Sequence, residues 1–230
     1  MAPYPALDTA WQSTRLVFRT VENDDEDKAT LTAINCGDPF GMAMNNPMIL
    51  SPGSKESGNI LMAFTKDAYL RVFICLRSED EKDDDDDKTE QTNGSGHKTE
   101  KNDNDEDKKK KTKTKPKAIG TLFLWPMHAL MAHHRNATLG IALARDHRGK
   151  GYGPEAINWV LDWAFLRLGL HRVQLGCFSF NDRALRCYRK LGFVEEGRDR
   201  EAVLFERGWH DVVRFALLEH EWEKMRGYAD

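Results

Sequence analysis

Six consecutive residues, Arg148-Gly149-Lys150-Gly151-Tyr152-Gly153, combine two cations with glycine at every second position. Glycine lets a backbone turn through left-handed conformations and approach a bulky group without a Cβ in the way. Arg148 and Lys150 add charge that suits a pyrophosphate. A second run, Asn181 to Phe193, reads Asn-Asp-Arg-Ala-Leu-Arg-Cys-Tyr-Arg-Lys-Leu-Gly-Phe and brings an amide, Asn181, and a phenol, Tyr188. The chemistry open to the first run is that of an anion cradle.

A cradle needs rigid elements on both sides. Ala137–Ala144 has the composition of a strand. Pro154–Leu168 carries Ala156, Ile157, Val160, Leu161, Ala164, Phe165 and Leu168 at helical spacing, with Pro154 in the first turn where proline is tolerated. A helix start offers unpaired N–H groups and about half a positive charge. Strand, glycine turn and helix start together form a phosphate site. Two common versions are set aside: the spacing is G-x-G-x-G rather than G-x-G-x-x-G, and no G-x-x-x-x-G-K-[ST] run exists.

The remaining elements alternate. Strands are expected at Thr14–Val21, Tyr69–Leu76, Ala118–Trp125 and His171–Phe178, with another beginning at Phe193–Val194 and a closing hairpin of Ala202–Phe205 and Trp209–Leu218. Helices are expected from the Asn23–Asp25 cap to Cys36, over Lys55–Thr65, from Asn181 or Asp182 to Leu191, and over Glu219–Arg226. Gly37–Gly58 has the turn signals of an irregular connection. The class is α+β with a mixed, mostly antiparallel central sheet.

The motif pair, R-G-x-G-x-G after a strand and N-x6-Y in a following helix, resembles the GCN5-related N-acetyltransferase (GNAT) superfamily over roughly Leu16 to Trp222. The opening Thr14-Arg15-Leu16…Arg19 and the ending Gly208-Trp209…Asp211…Val213 are similar to its Rim-type branch, the ribosomal-protein-alanine acetyltransferases. The resemblance implies the GNAT fold, with the Ala137–Ala144 and His171–Phe178 strands splaying apart to admit acetyl-CoA as co-substrate. It places pantetheine contacts at Ile141 and Leu143 and pyrophosphate contacts at Arg148, Gly149, Lys150, Gly151, Tyr152 and Gly153. Asn181 is either a helix cap or a cofactor contact. Tyr188 would be catalytic, protonating the leaving thiolate, since a phenol near pKa 10 can serve a thiol near 8.5. A backbone N–H near Leu143 would face the oxyanion. The implied activity is transfer of an acetyl group to a primary amine of a small molecule or peptide by direct attack. A protein N-terminal acetyltransferase and a non-catalytic acyl-CoA-binding module are the alternatives. Residues 140–143 contain no acid, and Glu201, Glu206, His210 and His134 are remote candidates for a general base.

Composition sets limits. The chain has 230 residues, 40% of them hydrophobic, and a net charge of −3. That balance provides no global basic field for nucleic acid. No apolar run reaches the ~18 residues of a membrane span. The N-terminus has no secretory pattern, which points to a cytoplasmic setting, with Lys108–Lys117 as a possible nuclear address. Cys36, Cys75, Cys177 and Cys187 are scattered, with no C-x-x-C pair. Cys177 and Cys187 are expected in the core, His128, His133 and His134 on a surface loop, and no metal is expected. Monomer or homodimer is the expected state. Residues 79–117 hold 14 acids and 11 lysines without one Leu, Ile, Val, Phe, Tyr or Trp, and are expected to be a disordered insertion in a single domain covering 1–230.

Overall fold

The computed structural model describes residues 7–46, 50–77 and 115–228. Seven strands form one sheet: β1 (Leu16–Thr20), β2 (Leu70–Leu76), β3 (Ala118–Pro126), β4 (Asn136–Leu143), β5 (Arg172–Phe178), β6 (Val194–Phe205) and β7 (Gly208–Leu218). Their spatial order is β1-β2-β3-β4-β5-β7-β6, and every pair is antiparallel except β4–β5.

Each face of the sheet buries its own helices. On one side α4 (Tyr152–Leu166) lays Ala156, Ile157, Val160 and Leu161 against Val72, Ile74, Leu122 and Leu139. On the other, α1 (Asp25–Cys36) and α3 (Lys55–Phe64) bring Leu31, Ile34 and Met62 onto Phe73, Phe123 and Ala142. β2 is therefore buried on both faces from Val72 to Leu76, as its apolar run there requires. Asp24 caps α1 by accepting from Asp27 N–H at 2.7 Å. α5 (Asp182–Lys190) and α6 (Glu219–Arg226) complete the set.

The expected irregular connection over Gly37–Gly58 contains a helix, α2 (Pro39–Asn45). Asp38 accepts from Gly41 N–H at 3.0 Å, and Pro39 occupies the first turn. The Asp-Pro pair acts as cap and helix start rather than as a turn. α4 begins two residues earlier than its proline suggested. β6 is continuous, absorbing its polar middle through register shifts at Glu195/Gly197 and Asp199/Val203. Residues 78–114, most of the expected insertion, lie outside the described residues. Its last part does not: Lys115 Nζ sits among Glu22 (3.2 Å), Asp24 (2.5 Å) and Asp27 (3.3 Å) at the start of α1.

Candidate functional site

β4 and β5 pair only where Asn136–Thr138 meets Arg172–Gln174. From Leu139 onward β4 keeps its ladder with β3 alone. Ala144 N–H donates to Ile119 O at 2.8 Å. Strand alternation therefore turns the polar groups of Ile141 and Leu143 the other way, toward the gap. Such groups need partners. Ile141 presents both its N–H and C=O to the gap. Leu143 presents its N–H, because its carbonyl accepts from Arg148 Nε at 2.8 Å.

The glycine loop follows at once. Gly149 (φ 89°) and Gly151 (φ 86°) hold left-handed conformations that other residues adopt only with strain. Gly151 is also the N-cap of α4 and has no side chain to satisfy the first-turn N–H groups. Gly153 lies inside the helix, where a Cβ would make ordinary contact with Leu143 at 3.6 Å. The helix start is anchored from β1. Glu155 accepts from Ser13 Oγ (2.7 Å), Arg15 N–H (2.7 Å) and Arg15 Nε (2.8 Å). Burial pushes the Glu155 carboxyl up, but these donors outweigh it and hold the group below its usual range. Arg15 also donates to Lys150 O at 3.0 Å.

The expected pyrophosphate contacts run through the backbone amides of 148–153, and three side chains of the hexapeptide have further roles; Arg148 also lines the cleft. Arg148 turns its guanidinium away from a purely anion-binding role: Nη1 donates to Asp38 Oδ2 at 2.5 Å, and that carboxylate balances its charge. Tyr152 is buried, with Arg15 stacked 4.6 Å above its ring, so its side chain belongs to the core. Lys150 is exposed, and neither its side chain nor that of Tyr152 lines the cleft.

Opposite the loop stands α5. Asn181 caps it, accepting from Ala184 N–H at 3.2 Å and donating to Met44 O at 3.3 Å, so its amide joins α5 to α2. Arg183 and Arg186 line the same cleft. A Cβ at Gly149 would stand 3.4 Å from Arg183 Nη2, which places that guanidinium over the glycine loop. Sequence reasoning passed over both arginines because the motif was read for its Asn and Tyr alone; their i, i+3 spacing was the available signal.

Tyr188 is half-buried between Phe193 and Phe215, each 6.0 Å away between ring centres. Its hydroxyl makes no hydrogen bond to the described residues. Burial, then the Cys177 and Cys187 thiols, push its pKa up, so the phenol stays protonated. It lines both the cleft, about 540 Å³, and a smaller cavity of about 240 Å³ in the gap between β4 and β5. Cys177 borders the smaller cavity, but burial pushes its thiol up to about 12, which disfavours the thiolate a nucleophile would need. Glu201, Glu206, His210 and His134 line neither space.

The histidines 128, 133 and 134 sit at the turn before β4, where His128 Nδ1 accepts from Leu130 N–H at 3.2 Å. Among the described residues, Glu22, Asp24 and Asp27 are the trio close enough to share a metal ion, and the Lys115 ammonium lies among them.

The cleft fits a long anionic thioester on this structure's own terms: strand groups facing the gap for an amide arm, two left-handed glycines at a helix start without a side-chain cap, Arg183 over the loop and Arg186 on the same cleft. Comparison with known proteins agrees. The sequence profile of the acetyltransferase (GNAT) family matches residues 71–193, which hold both motifs. The chain is 36% identical over 89 residues to a spermidine N(1)-acetyltransferase of Vibrio cholerae, covering 39% of this chain and 51% of that protein. It is 32% identical over 97 residues to a putative ribosomal N-acetyltransferase, YdaF, of Bacillus subtilis, covering 42% and 53%. The chain thus spans about half the length of the curated relatives it matches. The fold is shared with the crystal structure of a spermidine N-acetyltransferase from Vibrio cholerae in complex with CoA and spermine, at TM-score 0.64 and 20% identity over 91% of this chain and 99% of the other. With more than half of its residues matched by the profile, the chain belongs to the acetyltransferase (GNAT) family.

Proposed function

We propose that the chain is an acetyl-CoA-dependent N-acetyltransferase acting on a primary amine of a small molecule. One observation carries this: the β4–β5 gap, the glycine loop and Tyr188 open onto a single cleft. Bound acetyl-CoA supplies an activated acyl group as a thioester. Ile141 and the Leu143 N–H would hold its amide arm. Gly149, Gly151 and the first N–H groups of α4 would receive the pyrophosphate, with Arg183 and Arg186 adding positive charge. The Leu143 N–H also faces the gap where negative charge would develop on the acyl oxygen. Tyr188, protonated and without a hydrogen-bond partner among the described residues, would give a proton to the departing thiolate.

A second reading, transfer to a protein N-terminus as in the Rim-type branch, is favoured by the match to the putative ribosomal acetyltransferase. Two residues behind that branch likeness have structural partners here: Arg15 holds Glu155, and Arg19 makes a two-point bond with Asp27 at 2.8 and 3.0 Å. CoA release, followed with primary amines and with short unblocked peptides, tests both. The proposal expects turnover with amines and its loss in Tyr188→Phe; turnover confined to peptides would transfer the assignment to the second reading.

A further inference from the structure

The cavity between β4 and β5 lies just past Tyr188, where an acceptor would meet the acyl group. Its walls come from Met44 and Asn45 of α2, Trp125 of β3, Thr138 and Gly140 of β4 and Phe178 of β5. Among the described residues that line it there is no carboxylate and no cation. The Trp125 indole is fixed by Phe123 (5.2 Å) and Phe64 (5.4 Å) between ring centres. Its far edge fills the space over Gly140: a Cβ there would stand 2.6 Å from Cζ3 and 2.9 Å from Cη2. Aspartate or glutamate cannot be accommodated at this position without displacing the indole. At Gly140, one of the four acid-free positions of β4, packing excludes an acid, and an aromatic wall stands in its place.

Resting on the acetyltransferase reading, we propose that the acceptor is a primary monoamine carrying an apolar, preferably aromatic, substituent close to its nitrogen, and not a polyamine. Apolar surface is favoured against Trp125, Phe178 and Met44. A second or third ammonium brought into this space would find no counter-charge among the described residues that line it, and burying an unpaired charge is disfavoured. The same neutrality serves the chemistry. Desolvation disfavours the protonated amine, so the pocket itself raises the fraction of the free base that attacks. Trp125 is thus a specificity-determining residue.

The test measures kcat/KM for 2-phenylethylamine, isoamylamine, spermidine and a short peptide with a free N-terminus, alongside acetyl-CoA binding by calorimetry. Phenylethylamine at least tenfold better than spermidine and the peptide supports the proposal. Trp125→Ala should then cut that preference about tenfold or more while leaving acetyl-CoA affinity within twofold. Spermidine equal to or better than the monoamines, or a preference for the peptide, overturns the inference and leaves the acetyltransferase reading standing. Acetyl-CoA binding without CoA release to any acceptor overturns both.

Discussion

Arg148 donates to Asp38 Oδ2 at 2.5 Å and to the Leu143 carbonyl at 2.8 Å, so one guanidinium ties the end of the cofactor strand to the cap of α2. The contact is close-packed: a Cβ on Gly41 would lie 2.1 Å from Arg148 Nη2. Because Phe40, Met44 and Asn45 of α2 line the cleft, the tie couples the glycine loop to the wall that an acceptor would meet.

Asp38→Ala removes both the α2 cap and the partner of a largely buried guanidinium. It is expected to destabilise the fold by about 2 kcal/mol, read from denaturant unfolding. Burial pushes the Asp38 carboxyl up, but Arg148 and the Gly41 N–H outweigh it and hold it below the usual carboxylate range. The ionised form is thus favoured in the folded state. Its contribution is complete above about pH 4 and fades as pH falls further. Asp38→Asn should therefore lose less stability than the wild type on acidification over that window; equal losses would show that the pair contributes nothing.

Tyr188→Phe deletes one hydroxyl without changing the ring packing on Phe193 and Phe215. Turnover should fall about 100-fold, within the range for a general acid, with acetyl-CoA affinity unchanged. Since burial raises the phenol's pKa, no alkaline loss of activity below about pH 10 should trace to Tyr188. Comparison of the pH–rate profiles of wild type and variant checks this.

Arg183→Gln and Arg186→Gln remove cations that face the glycine loop or line the cleft. Each should raise KM for acetyl-CoA several-fold at low salt. The gap should narrow toward ~1 M salt, where screening acts over about 3 Å.

The glycine turn, the start of α4 and the Asn181 cap were legible because they depend on local features: glycines at left-handed positions, a helix start without a side-chain cap, a capping asparagine; the splay of β4 and β5 came only through the family resemblance. What was not legible depends on distant contacts. Asp38 is 110 positions from Arg148, and nothing near either residue announces the pair. Trp125 reads as one more apolar residue of a strand until β4 brings Gly140 beneath it. α2 was missed for a local reason, since Asp-Pro signals a helix start as well as a turn.

Cys177 borders the acceptor cavity, yet its thiol is pushed up to about 12 by burial. Iodoacetamide at pH 7.5 should leave activity intact over an hour, and Cys177→Ala should retain turnover within about threefold. Rapid inactivation protected by acetyl-CoA would assign the thiol a role in the reaction.

Calorimetric titration of acetyl-CoA into the purified protein tests the central claim most directly. One site per chain is predicted, with a dissociation constant within the ~1 μM to 1 mM span typical of enzyme substrates. Gly151→Ala, which places a Cβ at φ 86° and 3.1 Å from Arg15 Nη2, should weaken binding at least tenfold. Absence of binding to the folded wild type, or unchanged affinity in the variant, would contradict the assignment of the glycine loop as the pyrophosphate cradle.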